Sequence, residues 1–208
     1  MSPAATTERN AREQILDAAV ERIATDGIDE VRIARIAMDA GVSSSLVHYH
    51  FETREALLAE ALEHSFELAG DVRIGEEEAE EDAPSHALRL AAMVDQCLPY
   101  QGTLERDWML WVELWLRAAR SPELRATAAR LYERMHRWLA DEIAAGIADG
   151  EFSDCDVDAL TDRVLAMLDG FGIRALVRDP AVPLDWARGE VWRMLARELG
   201  MDAETPLR

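Results

Sequence analysis

The chain has 208 residues, 49% of them hydrophobic, and a formal net charge of −19, so it holds enough apolar material for a sizeable core and is not a disordered protein. Its two cysteines, Cys97 and Cys155, stand far apart without a CxxC pair or a Cys/His cluster at zinc spacing, so neither a disulfide framework nor a metal is expected. The first 26 residues lack a leader pattern and no segment approaches the roughly 18 apolar residues that span a bilayer, which predicts a cytoplasmic protein with no membrane partner.

Glycine and proline are sparse, at 11 and 7, and apolar residues recur at spacings of three and four nearly throughout. That periodicity predicts an all-α fold without strands or repeats. The first helix is expected over about 7–26, with Ile15, Leu16, Ala19, Val20 and Ile23 on one face and Gly27 as its stop. A short second helix, about 32–40, buries Ile33, Ile36 and Ala37 and ends at Gly41. Ser43 starts a third, because its hydroxyl can accept from an orphaned backbone N–H. After Phe51, Thr53 caps a fourth that turns Leu58, Ala61, Leu62, Phe66 and Ala69 inward.

The run EEEAEED, Glu76 to Asp82, repels itself too strongly to pack and reads as a solvated connector over about 75–83. Beyond it, helices are expected at about 84–99, 104–119, 122–149, 156–178 and 184–199. Ser121, Pro122 and Glu123 form a start signal, with a cap, a proline at the first helical position and a carboxylate near the positive end of the dipole. Gly150 and Gly200 are the expected stops.

Two short helices joined through DAGVS, with a small residue at the bend and a serine cap on the second, have the outline of a helix-turn-helix. The second helix of such a pair enters the major groove, its outward residues bonding base edges and phosphates while its apolar residues lock it in place. Within GVSSSLVHYHF, Gly41 to Phe51, the helical period puts Val47 and Phe51 on one face, Ser44, Ser45, His48 and Tyr49 toward the other, and Leu46 near the boundary. The acidic charge spares this part: residues 1–54 hold six arginines and nine carboxylates, a net of −3, and residues 55–208 carry the other −16.

Residues from about Thr7 to Leu68, above all IARIAMDAGVSSSLVHYHFETREALL from Ile33 to Leu58, resemble the tetracycline-repressor (TetR) family of bacterial regulators. In the remainder, LWVELWLRAARSPELR (Leu110 to Arg125), GIADGEF (Gly146 to Phe152) and MLDGF (Met167 to Phe171) look like the branch containing the choline-responsive repressor of the betaine pathway. The resemblance implies a helix-turn-helix domain over 1–53 and a helical effector-binding and dimerisation domain over 54–208. It also turns Ser44, Ser45 and His48 toward base edges, and Ser43, Tyr49, His50 and Arg54 toward phosphates. Arg54 stands where the family commonly has a lysine, Ser45 where a glycine is frequent, and Arg32 where a threonine or serine caps the second helix.

Other readings compete at several of these positions. His48 and His50 point about 200° apart on a helix, which argues against a metal pair. For His50, anchoring the turn beside Phe51 competes with phosphate contact. Arg32 and Arg35 share a helix face, and in this context at least one is expected on phosphate rather than merely solvated.

Trp108, Trp111 and Trp115 form a stripe at helical spacing, joined by Met93, Cys97, Tyr100, Met135, Trp138, Met167 and Phe171. Each alone reads as core, but together they also suit an effector cavity, where tryptophans could hold a quaternary ammonium with Glu113 or Asp107 supplying charge. The last two helices are apolar on more than one face, which assigns Val164, Leu165, Leu168, Gly172, Leu176, Val191, Trp192, Leu195 and Leu199 to contact with a second copy. The expected function is a homodimeric repressor released from a palindromic double-stranded operator by a small molecule, with no cofactor. The alternative is a binding module whose helix-turn-helix no longer reads DNA. No nucleophile–base set, phosphate loop or paired catalytic carboxylates point to an enzyme.

Overall fold

The computed structural model describes residues 3–73, 85–100 and 102–202, excluding the side chains of 3–10, 66–73, 103 and 123. Among these residues there are nine helices and no strand: α1 (Pro3–Asp26), α2 (Ile33–Asp39), α3 (Ser44–His50), α4 (Arg54–Arg73), α5 (His86–Gln96), α6 (Thr103–Ala118), α7 (Pro122–Ala148), α8 (Val157–Leu176) and α9 (Leu184–Leu199). The all-α expectation holds, and each helix lies within a few residues of where periodicity put it. The acidic run 76–82 and the side chains of Phe66 and Ala69 fall outside the described residues.

Two compact units divide the chain. One comprises Met1–Val72 with Met109–Leu131, the other Arg73–Trp108 with Tyr132–Arg208.

In the first unit, α1 buries Ile15, Leu16, Ala19, Val20 and Ile23, a stripe spaced to meet one partner surface. Ile28 and Val31 of the α1–α2 turn, Ile36 and Ala37 of α2, Val47 of α3, Phe51, and Leu57, Leu58, Ala61 and Leu62 of α4 are buried in the same unit. Thr53 caps α4 by accepting from the Ala56 N–H at 3.0 Å.

The second unit is built on a continuous apolar cluster from α5, α7, α8 and α9, centred on Leu90, Leu98, Leu139, Leu160, Val164 and Trp192. Seven of the nine residues assigned to a second copy are consumed here: Val164, Leu168, Gly172, Val191, Trp192, Leu195 and Leu199 are all buried within the chain itself. The apolar pattern around α8 and α9 was therefore satisfied mainly inside the protomer. Leu165 and Leu176 are half-buried.

Candidate nucleic-acid interface and effector site

Gly41 makes the bend between α2 and α3. Its φ of 67° lies in the left-handed region, which costs a side-chain-bearing residue energy that glycine avoids. The turn is closed by Gly41 N–H to Met38 O at 3.2 Å and Val42 N–H to Ala37 O at 2.9 Å. Ser43 then caps α3, its hydroxyl accepting from the Leu46 N–H at 3.2 Å. Arg32, at the corresponding position of α2, makes no side-chain cap, as its replacement of a hydroxyl residue implies.

Val47 is fully buried and Phe51 is 2% exposed. The Arg12 guanidinium of α1 sits 5.4 Å from the Phe51 ring centroid, adding cation–π attraction to the anchor. With that inner face fixed, Ser44, Ser45 and His48 are exposed, and Tyr49 is 71% exposed. Outward polar groups on a rigidly anchored short helix are what groove readout requires.

The cationic residues divide. Arg32 is exposed. Arg35 is exposed too and lies 3.7 Å from Asp39, which also takes Arg22. Arg54, half-buried, donates from Nε to Val31 O at 2.9 Å and from Nη2 to the Ile28 and Asp29 carbonyls, tying the start of α4 to the α1–α2 turn. Its guanidinium thus holds the head together, a role that the sequence pattern did not assign. His50 is half-buried, with Tyr49 and Phe51 rings at 5.2 and 6.3 Å, and its Nε2 is buried without a partner. That environment matches the packing role.

The proposed effector residues also divide. In the second unit, Trp108 is buried and donates from Nε1 to Cys97 O at 3.2 Å, while the Cys97 Sγ lies 3.8 Å from Met135 Sδ. Met93 is buried, and Tyr100, Met135, Trp138, Met167 and Phe171 pack half-buried against the same core. Phe171, however, meets Trp186 edge-on at 5.4 Å. Gly172 lies beneath Trp108: a Cβ there would stand 2.1 Å from the indole ring. That close approach by itself accounts for a glycine at this point of α8. Trp111 and Trp115 belong to the first unit, their ring centroids 5.8 Å apart and their planes tilted by 35°.

Of the two carboxylates expected to supply charge, Asp107 is buried, 3.6 Å from Arg106, and Glu113 is directed at Gly27. Two polar clusters were missed. Asp169 accepts from the Tyr132 hydroxyl at 2.7 Å; the signal for it was one acidic residue interrupting the apolar run MLDGF. His86 bonds Glu142 at 2.7 Å and Asp149 at 2.9 Å, while Glu151 accepts from the His86 and Ala87 N–H groups at 2.9 and 2.8 Å. Burial pushes the His86 pKa down, but the Asp149 and Glu142 bonds outweigh it and hold the value above that of a free imidazole. No helix among the described residues is long and apolar enough to cross a membrane.

Residues 15–61 match the model of the bacterial regulatory proteins of the tetR family, and residues 86–200 match that of the BetI-type transcriptional repressor C-terminal domain. The chain belongs to the TetR family, BetI type. Its relatives are transcriptional regulators, not enzymes. The regulator is 24% identical over 181 residues to the HTH-type transcriptional regulator BetI 1 of Chromohalobacter salexigens, covering 85% of this chain and 84% of that one. A transcriptional regulator from Saccharomonospora viridis, solved in complex with choline, superposes with a TM-score of 0.80 at 31% identity, covering 91% of this regulator and 97% of that chain. A TetR regulator from Haloarcula marismortui superposes with a TM-score of 0.79 at 25% identity, covering 92% and 99%.

Proposed function

We propose that the regulator is a cytoplasmic homodimeric repressor that two α3 helices dock onto a near-palindromic operator and that a small organic cation such as choline releases. Residues 1–53 do the reading; residues 54–208 bind effector and second copy. The observation that carries the DNA reading is α3 itself, anchored by Val47 and Phe51 with Ser44, Ser45, His48 and Tyr49 left outward. Ser44, Ser45 and His48 face base edges, and Ser43, Tyr49, Arg32 and Arg35 face phosphates. Arg54 and His50 serve this surface by fixing it.

Because α8 and α9 spend most apolar residues inside the protomer, the second copy meets the outer face of α8. Ala166, Gly170 and Val177 are exposed there at helical spacing, Gly170 with nothing within 4 Å of a Cβ. Half-buried Leu165 and Leu176, with exposed Trp186 of α9, flank it. A twofold contact on that face sets two α3 helices about 34–36 Å apart, or a multiple of it. The choline reading draws on the Saccharomonospora viridis structure and on the Trp108, Cys97 and Met135 cluster in the second unit. Switching the DNA-competent population from 99:1 to 1:99 requires about 5.5 kcal/mol of differential effector affinity.

The test is fluorescence anisotropy with DNA from upstream of the regulator's own gene, with and without choline. Specific binding that choline reverses is expected. With Arg32 and Arg35 as the phosphate-facing cations, two heads neutralise about four phosphates, so log affinity should fall with log salt at a slope of about −4. The second reading, a module that has lost DNA binding, is favoured by the net charge of −3 over residues 1–54 and by the internal commitment of Arg54. A folded protein with no salt-sensitive DNA binding would establish it.

A further inference from the structure

Half-buried and buried carboxylates of the second unit are met by cations: Asp95 by Arg188, Glu142 by Arg89, Asp107 by Arg106. Asp169 is different. Its bond from the Tyr132 hydroxyl is neutral, and among the described residues no cationic group faces it. Burial pushes its carboxyl above the usual range, only partly offset by the Tyr132 bond. Removing a carboxylate from water without a countercharge is unfavourable, so such a group is either neutral or awaiting a cation.

Its neighbours favour the cation. On α8, Asp169 lies one turn before Gly172, the position overlaid by the Trp108 ring. On α7, Tyr132 lies one turn before Met135, whose sulfur meets Cys97, the residue whose carbonyl orients Trp108. Residues three apart on a helix are side by side, about 5–6 Å between Cβ atoms. A carboxylate, an indole ring and a thioether are thus set on adjoining turns of α8, α6 and α7, linked through Gly172, Cys97 and Tyr132.

We propose that Asp169, oriented by Tyr132, is the countercharge that makes the effector site selective for a small organic cation, with the Trp108 ring beside it. This rests on the reading of a cationic effector given above and replaces Asp107 and Glu113 as the source of charge. A purely structural Asp169, serving only to tie α7 to α8 through Tyr132, predicts a different result.

The experiment is calorimetric titration of the full-length protein with choline and with its neutral carbon isostere, in which a tert-butyl group replaces trimethylammonium. Wild type should prefer choline by about tenfold or more, since a desolvated cation–π and carboxylate contact exceeds 1.4 kcal/mol. Asp169→Asn should cut the choline preference to the few-fold that the Trp108 ring supplies by itself, with affinity for the isostere unchanged. Tyr132→Phe, which keeps the charge and loses the orienting hydroxyl, should lower the choline preference a few-fold and stands in if Asp169→Asn does not fold. Equal weakening of both compounds in these variants, or a choline preference that stays at its wild-type size, overturns the role of Asp169 while leaving the cationic effector intact. Failure of wild type to prefer choline overturns both.

Discussion

The head formed by α1, α2 and α3 and the body formed by α5, α8 and α9 use polar residues in opposite ways. In the head they point outward from a small core, and Ser44, Ser45, His48 and Tyr49 stand exposed. In the body the informative polar groups lie inside or half-inside: His86, Thr161 and Asp169 interrupt an otherwise apolar interior. The head exposes its polar chemistry, whereas the body hides it, and each is vulnerable to a different substitution.

The largest expected effect removes the head's anchor while leaving its polar face untouched. Phe51→Ala should cost about 3–5 kcal/mol in chemical denaturation and abolish operator binding, because a truncated core aromatic leaves a cavity behind α3. Tyr49→Phe, on the opposite side of the same helix, should leave the denaturation midpoint within about 0.5 kcal/mol of wild type while weakening DNA binding by the loss of one hydrogen bond, about 0.5–1.5 kcal/mol. If both variants lose stability equally, the two-faced description of α3 is wrong.

The corresponding break in the body is Gly172→Ala. Its Cβ would stand 2.1 Å from the Trp108 ring, and Trp108 is buried with its Nε1 committed to Cys97. Displacing it should cost about 1–3 kcal/mol as an overpacked core and shift the tryptophan emission maximum. An unchanged melting curve and spectrum would return Gly172 to the outer face that its place in the apolar pattern suggested.

These two faces explain what could be read from the residues alone. The anchor and the outward face of α3 were legible because a helical period of 3.6 sorts Val47 and Phe51 from Ser44 and His48 without reference to any other element. The intended dimer residues were not. An apolar stripe such as Val164 and Leu168 says that a surface is covered, not whether its cover is the same chain or another. The same ambiguity hid Arg54, whose position after the third helix matches a phosphate-binding lysine while its guanidinium reaches back to the Val31, Ile28 and Asp29 carbonyls. Partners separated by 23 to 26 residues leave no periodic trace.

A smaller effect separates capping from reading at one residue. Ser43→Ala removes the acceptor for the Leu46 N–H and should cost about 1 kcal/mol. Ser43→Asp retains an N-cap acceptor, so it should recover that stability while placing a negative charge beside DNA. Stability restored with DNA binding still impaired assigns Ser43 both roles; recovery of both quantities would leave it a cap alone.

The smallest effect concerns His86, where the body ties the start of α5 to the end of α7. Its folded-state pKa is raised because the Asp149 and Glu142 bonds outweigh burial and the neighbouring Arg89. Protonation therefore favours the folded state: the contribution is complete below the unfolded pKa of about 6.5 and is lost as pH rises through the higher folded value. Glu151 acts in the other direction. Burial pushes it up, but the N–H groups of Ala87 and His86 hold its carboxyl below the usual range, so its contribution is lost only in acid. Above the unfolded imidazole pKa of about 6.5 the slope thus belongs to His86 rather than to Glu151. Because Asp149 is 72% exposed, water screens that half of the contact and the total should stay within about 1 kcal/mol. Urea midpoints of wild type should drift downward across this range relative to His86→Gln, which cannot titrate. Parallel pH profiles for the two proteins would mean that folding leaves the imidazole pKa where it is in the unfolded chain, so that charge on His86 adds nothing to the latch between α5 and the end of α7.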